Sequence, residues 1–183
     1  MSENSTDFKK FLSGISDSIP SDASAEELAE LGFMREALAE AVKAFEIDEV
    51  PIGCVIVRNG EIISRSHNMR ELTNDPTGHA EILAIQHASK LLNSWRLDDC
   101  EVYVTLEPCI MCTGALLQAR VKRVIFGAFD PKAGATGTLY NLHADERLNH
   151  RFPVKSGVLE KESVFLLQEF FKRKRKNSNG TKS

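Results

Sequence analysis

Apolar side chains recur every three to four residues over positions 25–45, where Leu28, Leu31, Met34, Leu38, Val42 and Phe45 make one stripe. That spacing predicts an amphipathic helix with a glutamate-rich outer face. The period then changes. Residues 50–58 and 61–68 read as two strands joined by Asn59-Gly60, a pair that accepts the positive φ a tight hairpin demands. Residues 69–77 follow neither period and read as a loop. A helix over 79–93, a β-rich run over 101–106, a helix over 109–120 opening after Pro108, a strand over 123–128, a fifth strand over 154–159 and a final helix from near Lys161 complete the pattern. A helix, a hairpin and then alternating strands and helices predict an α/β fold, a three-layer α/β/α sandwich around a central mixed five-stranded sheet. Sheets of this kind carry their sites beyond the strand ends, where the next helices begin. Two of these helices begin at His79 and Cys109.

The chain has 183 residues, 42% of them apolar and 27% charged, which suits one globular domain with a sizeable core. No apolar run approaches the roughly 18 residues of a membrane span, and the N-terminus lacks a secretory pattern, so a cytoplasmic protein without a membrane segment is expected. The four cysteines then read as metal ligands or core thiols before disulfides. The net charge of −3 hides an asymmetry, because residues 1–30 hold seven acids against two lysines, whereas residues 172–183 hold six bases and no acid. Residues 1–24 are read as an acidic, serine-rich, disordered extension in which Phe8, Phe11, Leu12, Ile15 and Ile19 fall at helical spacing. Residues 25–171 form the domain, and 172–183 a basic tail that fits either a solvated helix end or a contact for phosphates.

His79-Ala80-Glu81 and Pro108-Cys109-Ile110-Met111-Cys112 carry the candidate chemistry. A Cys-x-x-Cys alone fits a redox pair, half a zinc ribbon or two core thiols. A ribbon needs a second pair, and Cys54 and Cys100 are far apart in sequence; a redox pair leaves the histidine unexplained. Together, one imidazole and two thiolates make a three-ligand zinc site whose fourth tetrahedral position is left for water. Cys109 and Cys112 share a helix face near its positive end, which favours thiolates. Glu81 is placed as a proton acceptor.

With these motifs the sequence resembles the zinc-dependent nucleoside and nucleobase deaminases, whose signature is His-x-Glu followed by Pro-Cys-x-x-Cys. Within them it is similar to the bacterial tRNA adenosine deaminases, which convert the wobble adenosine of an anticodon to inosine. The likeness also covers Glu49-Val50-Pro51-Ile52-Gly53, Asp75-Pro76-Thr77-Gly78, residues 103–115, Phe126-Gly127-Ala128, residues 130–137, Asn149-His150-Arg151 and Phe170-Phe171. The resemblance implies a cytidine deaminase-like fold and one Zn²⁺ per subunit on His79, Cys109 and Cys112. It implies that Glu81 shuttles protons and that Asn68 and Ala80 contact the adenine. Asp130, Asn149, His150, Arg151, Phe171, Lys172 and Arg173 would face the tRNA anticodon stem-loop. It implies a homodimer, to which the apolar residues over 109–117 add support, and Phe129 stands where relatives often carry a polar residue.

Read from the residues alone, Asn68 equally suits a turn at a strand end, and Asn149-His150-Arg151 a polar loop. Phe170 and Phe171 are consecutive, so at least one faces away from the buried stripe of the last helix. Cys54 reads as a core thiol, Cys100 as semi-exposed, and His67, His87 and His143 as ordinary surface or helix histidines. Three rivals stand beside the tRNA reading. A purely structural zinc needs no water, a deaminase of a free guanine or cytosine derivative needs no RNA and gives the basic end no use, and a non-catalytic zinc-stabilised RNA-binding subunit needs no Glu81.

Overall fold

The computed structural model describes residues 23–180. The expectation of a disordered extension therefore lies almost wholly outside the described residues. At Ser24 the hydroxyl accepts the Glu27 N–H at 3.2 Å while the Glu27 carboxylate accepts the Ser24 N–H at 2.8 Å. This reciprocal cap satisfies donors that a helix start leaves orphaned, and it opens α1 (Ala25–Glu46). The hairpin of β1 (Gly53–Arg58) and β2 (Glu61–His67) follows, with Asn59 and Gly60 at φ 53° and 79°. Then come α2 (Arg70–Thr73), α3 (Ala80–Leu92), β3 (Cys100–Leu106), α4 (Ile110–Ala119), β4 (Arg123–Ala128), β5 (Val154–Lys155) and α5 (Glu160–Gly180).

The strands form one five-stranded sheet in the order β2-β1-β3-β4-β5. β1 runs antiparallel to β2 and β3, and β4 runs parallel to both β3 and β5. Alternation along β1 divides the core. Cys54 and Ile56 pack with Ala80, Ala84 and Ala88 of α3 and Leu116 of α4. Val55 and Val57 turn to the other face, where Met34 and Ala37 of α1 and Ile125 of β4 meet them. Leu38, Ala41 and Phe45 of α1 then join Leu166 and Phe170 of α5. Helices thus cover both faces of the sheet, the expected three-layer sandwich. Gly53 is required here, because a Cβ at that position would run into the backbone of α1 at Ala37 and Ala41.

Five details differ from the expectation. Residues 70–73 form a single helical turn inside the expected loop, ended by Asn74 at φ 52°. The fifth strand is only two residues long, since Pro153 precedes it without an N–H to give and Gly157 turns the chain at φ 81°. The bases from Lys172 to Lys176, set apart in sequence as a tail, continue the last helix, which runs to Gly180. Cys100 is fully buried, not semi-exposed. His79 and Cys109 stand one residue before their helices as extended N-caps.

Candidate active site

The segments that lead into α3 and α4 meet beside the sheet. The extended backbone of His79, with ψ 149°, and of Cys109, with ψ 175°, turns both side chains back over the N-termini of α3 and α4. Cys112, in the first turn of α4, completes the group. His79 Nδ1 lies 3.5 Å from Cys112 Sγ and 3.8 Å from Cys109 Sγ, and the three ligand atoms all lie within 4.8 Å of one another. Nitrogen and sulfur bound tetrahedrally to one zinc ion are separated by about 3.6 Å, so the group fits a metal of that kind. Hydrogen bonding from Cys112 pushes the Cys109 thiol down to about 4 and holds Cys112 above its ordinary range. One imidazole nitrogen and two sulfurs held this close offer a donor set that a divalent cation can take up as the thiol protons leave. The same bonding to Cys109 raises His79.

Glu81 is buried one step beyond the triad, and burial pushes its carboxyl up to about 7. It opens with His79 and Cys109 into a cavity of about 380 Å³ whose lining includes Asn68, Arg70, Phe129, Asp130, Lys132 and Phe171. Asn68 donates its amide N–H to the buried Glu49 carboxylate at 2.8 Å. Asp130 Oδ1 accepts the N–H groups of Lys132 and Ala133 at 2.9 and 3.2 Å and so shapes its own turn. Glu107, also buried, accepts from Asp130, Thr136 and Thr138. Burial works against its charge, and hydrogen bonds from Thr138, Asp130 and Thr136 outweigh that cost, holding its carboxyl below the usual range.

Of the residues singled out in the sequence, His79, Cys109, Cys112, Glu81, Asn68, Asp130 and Phe171 converge at this cavity and its triad. The others stand elsewhere. The Ala80 methyl joins the core. His150 Nε2 is paired with the Val121 carbonyl at 3.0 Å and its ring lies beside Phe152, so it braces the fold. Asn149 is exposed, and the exposed Arg151 lies 4.0 Å from Glu146. Arg173 turns inward, donating to the Phe45 carbonyl at 2.9 Å and to Asp48 at 2.8 Å with its guanidinium 4.1 Å from the Phe45 ring centre. Lys172 lines a second groove beside the cavity, with Phe129, Lys132, Phe171 and Arg175. Glu49 and Glu107 are the residues that sequence reasoning left without a role. For Glu107 the available signal was a carboxylate two residues before Cys109, whereas Glu49, 19 residues from Asn68 and preceded by Asp48, offered none.

Among the other histidines, His67 pairs with the buried Glu40 at 2.8 Å, His87 with Ser66 and His143 with the Phe152 carbonyl. Cys54 is a core thiol that burial pushes up. Among the described residues no helix is long and apolar enough to cross a membrane.

The model of the MafB19-like deaminase family matches residues 29–175. The chain is 53% identical over 150 residues to the tRNA-specific adenosine deaminase of Bacillus subtilis, covering 82% of this chain and 93% of that one. It is 50% identical over 145 residues to the enzyme of the same name from Aquifex aeolicus, covering 79% of this chain and 95% of that one. A structure from work on A-to-I editing by tRNA:A34 deaminases at the wobble position of transfer RNA superposes with a TM-score of 0.72 at 45% identity, covering 74% of this chain and 99% of that one. A guanine deaminase from Bacillus subtilis superposes with a TM-score of 0.54 at 36% identity, covering 66% and 74%. The chain belongs to the MafB19-like deaminases and, among them, to the family of tRNA-specific adenosine deaminases.

Proposed function

We propose that the protein hydrolyses adenosine to inosine at the wobble position of a tRNA anticodon, releasing ammonia. The observation that carries this reading is a buried carboxyl, Glu81, facing the same base-sized cavity as a His-Cys-Cys metal triad. The 53% identity to a tRNA-specific adenosine deaminase supports the substrate. His79 Nδ1 and the sulfurs of Cys109 and Cys112 would hold one Zn²⁺, for which one nitrogen and two thiolates are a suitable donor set. Bound there, the ion supplies a Lewis acid that makes water nucleophilic near neutral pH. Glu81 takes a proton from the attacking water and delivers it to N1 of the adenine as the C6–O bond forms. It then carries the second proton to the amino group as the C6–N bond breaks. Atoms balance as adenosine and water giving inosine and ammonia. Asn68 holds the edge of the base.

A base in a duplex cannot reach this depth, whereas an anticodon loop presents bases already unstacked. The groove lined by Phe129, Phe171, Lys132, Lys172 and Arg175 opens beside the cavity and offers aromatic faces and cations to flanking nucleotides. Because Arg173 and Lys174 are committed to Asp48 and Lys172 pairs with Glu169 at 3.2 Å, phosphate contacts from α5 fall first to Arg175 and Lys176. Ile110 on α4 and Leu139, Tyr140 and Leu148 remain exposed, and a homodimer covers them. The protein works in the cytoplasm, where its tRNA substrate is found. The direct test is ammonia release from an anticodon stem-loop carrying the wobble adenosine, beside free adenosine and free guanine. Turnover of the stem-loop alone supports the proposal; turnover of a free base without RNA contradicts it.

A further inference from the structure

We propose that Glu107 is a positioning residue that pins the cavity wall of residues 129–138 against the metal triad and thereby sets how tightly the RNA-borne base is held. The inference rests on the deaminase reading above and assigns Glu107 no part in bond making. Glu107 ends β3's approach to the site two residues before Cys109, and it is 2% exposed. A carboxylate so buried needs its lone pairs filled. One loop fills them. Oε2 accepts the Asp130 N–H at 3.1 Å, Oε1 accepts the N–H groups of Thr136 and Thr138 at 3.0 Å each, and the Thr138 hydroxyl also donates to the carboxylate. Gly134 makes room for this arrangement, since a Cβ there would enter the Glu107 carboxylate.

The neighbouring backbone repeats the connection. Glu107 N–H donates to the Ala128 carbonyl at 2.8 Å, and Ala135 N–H donates to the Pro108 carbonyl at 2.9 Å. Glu107 and Pro108, the two residues that deliver Cys109 to the triad, are thus bonded to the loop at both its ends. That loop contributes Phe129, Asp130, Lys132 and Ala133 to the cavity lining. Only a group that accepts at both ends meets all four donors. A glutamine turns one end into a donor facing donors, and the loop must open on that side.

The test uses the metal-loaded, full-length protein as wild type, Glu107→Gln and Thr138→Val. Amide exchange of residues 129–138 is read without substrate, and metal content and the KM and kcat for an anticodon stem-loop are read beside it. For Glu107→Gln, exchange of the Asp130, Thr136 and Thr138 amides should speed up by about tenfold or more, and KM should rise by about tenfold with kcat within about threefold of wild type. Metal content should stay unchanged. Thr138→Val removes one donor and should raise KM by about threefold with kcat unchanged, so the proposal stays testable if the glutamine variant fails to fold. Unchanged amide exchange, a fall in kcat at constant KM, or loss of metal from Glu107→Gln overturns it. A wild-type protein that leaves the stem-loop unreacted contradicts the deaminase reading instead, and the exchange measurement still decides whether Glu107 pins the loop.

Discussion

The side-chain amide of Asn68 donates to Glu49 Oε2 at 2.8 Å, and the backbone N–H of Leu72 donates to the other oxygen of the same carboxylate at 2.7 Å. Both Asn68 and Glu49 are buried. A carboxylate only accepts, so the nitrogen of Asn68 must face Glu49 and its oxygen is left to the cavity. Glu49→Ala should therefore raise KM for a stem-loop by about tenfold while the saturated rate falls far less and metal content stays constant. An unchanged KM contradicts the role given to this pair.

Consecutive phenylalanines on α5 should separate cleanly. Phe170 is 3% exposed and meets Phe45 edge-on with ring centres 6.0 Å apart, whereas Phe171 is 46% exposed and lines the cavity. Phe170→Ala should cost about 3–5 kcal/mol of stability in urea unfolding. Phe171→Ala should leave the midpoint nearly unchanged and weaken stem-loop binding by about 1–3 kcal/mol, the worth of one stacked base. Equal effects on both measurements would remove the distinction.

Much of this site was legible because its chemistry is local in sequence. His79 and Glu81 are two residues apart and Cys109 and Cys112 three, and the folding of two adjacent helix starts brings them together. The sandwich was legible for the same reason, since alternation on β1 and the stripe on α1 are short-range patterns. What escaped depends on distant partners. Glu107 meets donors 23 to 31 residues later, and Arg173 finds Asp48 across 125 residues. A basic run reads the same in sequence whether its members face solvent or pair inward. The turn at Arg70–Thr73 buries nothing and leaves no apolar period to read.

The clasp between α5 and the end of α1 should depend on acid. Lys174 donates to Asp48 at 2.5 Å, and with Arg173 it holds the Asp48 carboxyl below its ordinary range. A depressed carboxylate stabilises the fold above its unfolded pKa and ceases to as pH falls through its folded one. The stability difference between wild type and Asp48→Asn should thus be present at pH 5 and shrink on descending below about 3.9. Urea midpoints across that range measure it, and a difference that grows toward acid has the wrong sign.

Metal and proton transfer should be separable. Cys112→Ala should lose both zinc and activity, while X-ray absorption of the wild type should show about one zinc per chain with one nitrogen, two sulfur and one oxygen neighbours. Four protein ligands would make the metal structural. Glu81→Ala should keep the zinc and lose about 10²–10⁴-fold in rate. Activity within tenfold of wild type would take the proton shuttle away from Glu81.

If this cavity receives the wobble adenosine of a tRNA, inosine must form at that position and depend on Glu81. Total tRNA lacking inosine is incubated with the wild-type protein or with Glu81→Ala, and new inosines are mapped by sequencing. Inosine is expected at the wobble position of one or a few tRNAs with the wild type and none with the variant. Inosine spread over other positions, none at all with metal-loaded protein, or equal yields from both proteins would contradict it.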